Sequence, residues 1–198
     1  MQKFDSDVLK QRTLTWSLLN IPLLKNFVFA IDDFDKRKMI ENIICDFDSR
    51  VLSNLQSFKL VLIHGDFNEQ NILVKKNQDG EFDVCGILDF GDTHYAPQLF
   101  DIAIACTYAM LECKTMDVIE APRYVLKGYL QIINLTAEEW KILPLCVLAR
   151  LAQSLTLGAY SYKCEPDEYV LTTARTGWSV LERLLKMEHE ELVRLWKE

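Results

Sequence analysis

The residues whose types and spacing suit chemistry crowd into "VLIHGDFNEQNILVKK", Val61 to Lys76, and into "LDFGD" shortly after it. His64, Gly65, Asp66, Asn68, Glu69, Gln70 and Asn71 form a polar arc between two apolar runs. A connection that only reversed the chain would need two residues such as Asn-Gly or Asp-Gly. This one is longer and rich in acceptors and amides, so it reads as a site. Asp89, Phe90, Gly91 and Asp92 follow where a later strand runs out. Phosphoryl transfer asks for such groups: a carboxylate to orient the attacking hydroxyl and accept its proton, and a second carboxylate with an amide to hold Mg2+ against phosphate oxygens. Oxygen ligands with a few retained waters suit that ion.

Taken singly, each residue has a plainer explanation. An Asp on a tight loop is usually a turn-former. Asn71 could cap a strand edge and Asp89 a helix. Asp101 alone is a helix N-terminal charge. His94 and Asp92 read as turn residues. Only the fixed order of polar residues with strands between them favours a site.

The elements that must position these groups are legible from pattern. Val61-Leu62-Ile63 predicts a buried strand and Ile72-Leu73-Val74 another. Asn71 to Lys76 and Glu81 to Phe90 predict a hairpin joined by "NQDG", which would bring Asn71 close to Asp89. Residues 1–58 read as mostly helical. Asp32 and Asp33 are candidate caps for a helix with apolar positions Met39, Ile40, Ile43, Ile44, Phe47, Val51, Leu52 and Leu55. From Pro97 onward the pattern is helical. Pro97 suits a first turn, and "TAEE" at 136–139 predicts a capping box. Pro144 predicts a kink or restart, and Pro166 a new helix to about Met187. Trp140, Tyr160, Tyr162 and Trp178 read as core. The predicted fold class is α+β, mostly α, with a small β element carrying the polar loop.

Bulk properties narrow the function. With 198 residues the chain suits one domain. A net charge of -7 argues against a nucleic-acid surface, which carries a basic stripe. The six cysteines include no C-x-x-C pair. They read as free thiols, several of them buried, in a reducing compartment. The start lacks the apolar core of a signal peptide. The pattern predicts no run of the apolar length that spans a bilayer. The expected compartment is the cytosol, with no membrane partner.

The spacing Asp66-x-x-x-x-Asn71 followed by Asp89-Phe90-Gly91 resembles the catalytic loop and metal site of protein kinases. The opening "HGD" is similar to the aminoglycoside phosphotransferase and choline kinase superfamily, and "FDIAIA" matches its supporting helix at Asp101. Within it, "HGDFNEQNILV" and "ILDFGDTHYAPQLFDIA" most resemble the hydroxylysine kinase group. The resemblance implies a protein-kinase-like C-terminal lobe with Asp66 as catalytic base, Asn71 and Asp89 as Mg2+ ligands, and His64 and Asp101 as supports of the loop. It implies a nucleotide donor, GTP or ATP, and a small amine-bearing substrate such as 5-hydroxylysine. An acidic lining would suit two amines, with Glu69, Glu112 and Asp167 as candidates. Many relatives carry "HGDLHPGN" where this chain has Phe67-Asn68-Glu69-Gln70, which leaves Glu69 open as a substrate contact.

The chain's seven glycines form neither G-x-G-x-x-G nor G-x-x-x-x-G-K-[ST]. The expectation is therefore one C-terminal lobe over residues 1–198 without the N-terminal nucleotide-binding lobe, from a shortened isoform or incomplete gene product, with weak or no activity. The alternatives are a non-catalytic fragment that binds a partner, and a kinase of choline or aminoglycoside type.

Overall fold

The long apolar stretch after Thr136 forms a helix against which most other helices pack. In the computed structural model, which describes residues 6–167 and 172–198, this helix is α5, Ala137–Cys164. The chain reaches it through α1 (Asp7–Lys10), α2 (Phe34–Arg50), β1 (Leu60–Ile63), β2 (Ile72–Lys76), β3 (Phe82–Ile87), β4 (His94–Pro97), α3 (Gln98–Glu112) and α4 (Pro122–Tyr129). It leaves through α6 (Thr172–Leu185) and α7 (His189–Lys197). The architecture is α+β and mostly helical, as the pattern predicted.

Local signals set several boundaries. Asp33 caps α2 by accepting the Lys36 N–H at 3.0 Å. Thr136 and Glu139 close a reciprocal capping box, with Glu139 Oε2 accepting the Thr136 N–H at 2.8 Å and Thr136 Oγ1 accepting the Glu139 N–H at 3.2 Å. Between α1 and α2 the stretch expected to be helical forms three-ten turns, Leu18–Asn26 and Val28–Ala30, with Pro22 inside the first.

Pro144 does not restart the helix: α5 runs through it unbroken. An interior proline costs about 3 kcal/mol, whereas each fully buried Leu or Val contributes about 1.5–3 kcal/mol. Leu143, Leu145, Val147 and Leu148, all buried, more than offset that cost. By length and composition α5 is also apolar enough to cross a membrane, contrary to the expectation for this sequence, but 89% of its apolar window is buried inside the domain. It is packed as a core helix, with α2, α3, α6 and α7 lying against it.

The strands pair as two antiparallel ribbons. β1 pairs with β4, Leu60 opposite Pro97 and Ile63 opposite His94. β2 pairs with β3, Ile72 opposite Ile87, with a bulge between Leu73 and Val74. The hairpin matches expectation, and Gly80 closes its turn at φ +84°. β4 was unexpected. β2 was expected to be buried, yet Leu73 and Val74 are exposed, because no described element covers either face of this two-stranded ribbon. Phe82 and Val84 opposite are exposed as well.

Two cysteines, Cys106 and Cys146, are buried free thiols, and burial raises the pKa of both. Cys45, Cys85 and Cys164 are exposed. Tyr162 lies at the surface and not in the core. The start of the helix expected at Pro166 falls partly on residues 168–171, which lie outside the described residues. Residues 1–5, part of the stretch expected to be helical, also lie outside them.

Candidate active site

β1 delivers the polar loop at its C-terminal end, where Gly65 takes φ +85°. A Cβ there would collide with the Asp92 carbonyl oxygen, so only glycine fits. Asp101, in the first turn of α3, accepts the His64 N–H at 2.8 Å on one oxygen and the Gly65 N–H at 2.9 Å on the other. Burial pushes the Asp101 carboxyl pKa up, and these two amides act in the opposite direction. The His64 ring donates from Nε2 to the Leu88 carbonyl at 2.8 Å and accepts the Asp66 N–H on Nδ1 at 3.3 Å. The loop is thus fastened to α3 and to the end of the hairpin.

Asn71 is 9% exposed and ends a three-ten turn opened by Asn68. Its Nδ2 donates to the Asp66 backbone oxygen at 2.9 Å and to Asp66 Oδ2 at 3.1 Å. The Leu88 N–H donates to the Asn71 carbonyl at 2.9 Å, so the hairpin does bring the strand ends carrying Asn71 and Asp89 together. Asp89 adopts a left-handed conformation, φ 52° and ψ 75°, and its Oδ1 accepts the Gly91 N–H at 3.0 Å. Non-glycine residues in that region are uncommon and cluster at functional sites. Because Asn71 spends its nitrogen on Asp66, its amide oxygen is the acceptor left over. That oxygen and the exposed Asp89 carboxylate make a hard-oxygen donor set that fits Mg2+.

Asp66, Asn71 and Asp89 all line one cleft of about 350 Å³, and Glu69, Asp92 and Glu112 line it too. Asp167 does not. His94 lies in β4 behind the cleft, where its Nδ1 donates to the Asp92 carbonyl at 2.7 Å and its Nε2 accepts from Ser17 Oγ at 2.8 Å. Burial lowers the His94 pKa.

Sequence reasoning missed Arg150, Trp16, Tyr108 and Ser154 in the cleft wall. Arg150 Nη2 meets Asp66 Oδ1 at 3.1 Å. The signal was present: Arg150 is the one charged residue between Lys141 and Lys163, and a charge inside an apolar helix needs a partner.

A profile of the phosphotransferase enzyme family matches residues 13–120. The chain is 38% identical to hydroxylysine kinase of Mus musculus over 189 residues, 92% of this chain and 50% of that protein. It is 37% identical to hydroxylysine kinase of Xenopus laevis over 190 residues, again 92% and 50%. The protein of that name from Bos taurus is 35% identical over 196 residues, 96% of this chain and 52% of its own length. The chain therefore spans about half the length of the curated relatives it matches.

Proposed function

The chain belongs to the phosphotransferase enzyme family and is a kinase by family, and on that premise we propose that it carries the catalytic groups of a small-molecule kinase that transfers the γ-phosphoryl of GTP or ATP to the hydroxyl of 5-hydroxy-L-lysine. The observation that carries the reading is the convergence of Asp66, Asn71 and Asp89 on one cleft, with the start of the loop, at His64 and Gly65, clamped by Asp101. The shared name of the relatives supports the substrate.

In this mechanism the substrate hydroxyl oxygen attacks the γ-phosphorus and the bond to the β–γ bridging oxygen breaks. Asp66 orients the hydroxyl and takes its proton. Asn71 and Asp89 would hold Mg2+, which when bound neutralises charge on the phosphate oxygens. Glu69 and Glu112, both exposed on the cleft wall, suit the two ammonium groups of the substrate.

The test is a substrate panel. With Mg-GTP and Mg-ATP supplied in turn, phosphorylated 5-hydroxylysine should accumulate faster than phosphocholine or phosphorylated aminoglycoside. A preference for choline or an aminoglycoside would move the substrate assignment.

A second reading, a non-catalytic module that binds a partner, is favoured by the exposed apolar residues of the β2–β3 hairpin, Val74, Phe82 and Val84 among them. Capture of nucleotide without any transfer would support it.

A further inference from the structure

Arg150 sits midway along α5, 1% exposed, yet carries a charge it cannot lose. Burying such a group is costly unless an opposite charge and hydrogen bonds meet it. Its Nη1 donates to the Trp16 carbonyl and to Gln153 Oε1, both at 3.0 Å. Its Nη2 donates to Asp66 Oδ1 at 3.1 Å and to Tyr108 Oη at 3.2 Å. The guanidinium also faces the Trp16 ring at 5.1 Å and the Tyr108 ring at 5.4 Å. Its Nε has no partner among the described residues. The carboxylate that balances it is Asp66.

The same contact has a consequence for Asp66. Arg150 takes Oδ1 while Asn71 takes Oδ2, at 3.1 Å each, so donors from two different elements grip the two ends of one carboxylate. Asn71 belongs to the loop and moves with it. Arg150 belongs to the core helix and is itself held by the Trp16 segment and by α3 through Tyr108. The plane of the Asp66 carboxylate is therefore referenced to the rigid core as well as to its own loop.

We propose that Arg150 is the positioning residue of Asp66, supplying its buried counter-charge and fixing the carboxylate in the cleft. This rests on the reading of Asp66 as the base, since a misplacement of about 1 Å costs on the order of 10² in rate. It also means that Asp66→Asn does more than remove a base, because it strips the buried guanidinium of its counter-charge.

Two readouts on the full chain test this. In denaturation of wild type, Asp66→Asn, Arg150→Gln and the double variant, each single substitution should lower the midpoint. The double variant should then lie above the sum of the two losses. Additive losses would overturn the pairing, and this arm needs no activity. In single-turnover transfer to 5-hydroxylysine, Arg150→Gln should lower the rate by about 10–10²-fold with the KM for nucleotide unchanged. Arg150→Lys, which keeps the charge, should recover part of that loss. An unchanged rate, or a loss wholly in KM, would overturn positioning. If Arg150→Gln does not fold, Asp66→Asn against Arg150→Met, which removes the charge but keeps the length of the side chain, gives the cycle in its place. Absence of turnover from wild type together with non-additive midpoints would leave the pairing standing and remove the kinase reading instead.

Discussion

The backbone N–H of His64 donates to Asp101 across 37 positions of sequence, at 2.8 Å. Together with the Gly65 contact, this makes one side chain of α3 hold the two residues that open the loop. Asp101→Ala would leave two part-buried N–H groups unpaired, at about 1–3 kcal/mol each. We expect it to lower stability by about 2–6 kcal/mol, with Asp101→Asn intermediate because it retains one acceptor. Urea denaturation measures this, and a change under about 0.5 kcal/mol, the usual range for surface substitutions, would show that the anchor is not needed.

Gly65 is the position least able to accept a side chain. Gly65→Ala would force a Cβ into the Asp92 carbonyl at a positive φ. The expected loss is more than about 1 kcal/mol, since strain at φ +85° adds to the clash. Gly80→Ala, in open space at φ +84°, carries strain without a clash and should cost less. Equal midpoints for the two variants would contradict the close approach.

Much of this site was legible because its chemistry is local. The loop residues, the hairpin and the Thr136 capping box each announce themselves within a few positions. β4 was not legible, because His94–Pro97 becomes a strand only by pairing with β1, more than thirty positions earlier. Pro144 misled because burial along α5 outweighs a local breaker. Arg150 was overlooked because its partner lies 84 positions away, although its isolation in an apolar run hinted at one.

Acid should weaken the fold through His94. Burial lowers its pKa, Arg12 acts in the same direction, and the backbone carbonyl of Asp92 with the charges of Asp101 and Asp92 opposes them. The unfolded chain therefore binds more protons than the folded one just below about pH 6.5. Stability from neutral His94 is present above that pH and is lost as pH falls through it toward the folded pKa. His189 is also lowered, first by burial, and adds to the same trend. Asp101 works the other way at lower pH, since its raised pKa makes the folded state hold its proton longer. Midpoints measured from pH 7.5 down to 5 should fall, and His94→Gln should flatten part of that slope. A slope unchanged in His94→Gln would exclude its contribution.

Metal affinity should track the oxygen donors of the cleft. Asn71→Ala and Asp89→Ala are each expected to weaken Mn2+ binding, read by electron paramagnetic resonance in the presence of nucleotide, by at least about tenfold. Glu81→Ala, on the far end of the hairpin, should leave it unchanged. Asn71→Ala also frees Asp66 Oδ2, so it should reduce transfer more than its effect on metal alone.

The most direct measurement is single-turnover transfer from γ-labelled Mg-GTP to 5-hydroxylysine by wild type beside Asp66→Ala, with the folded state of both checked by circular dichroism. The account predicts transfer by wild type and a loss of about 10²–10⁴-fold in the variant, the range a positioned base supplies. Equal rates in the two proteins, or no transfer at all from folded wild type at stoichiometric concentration, would contradict it.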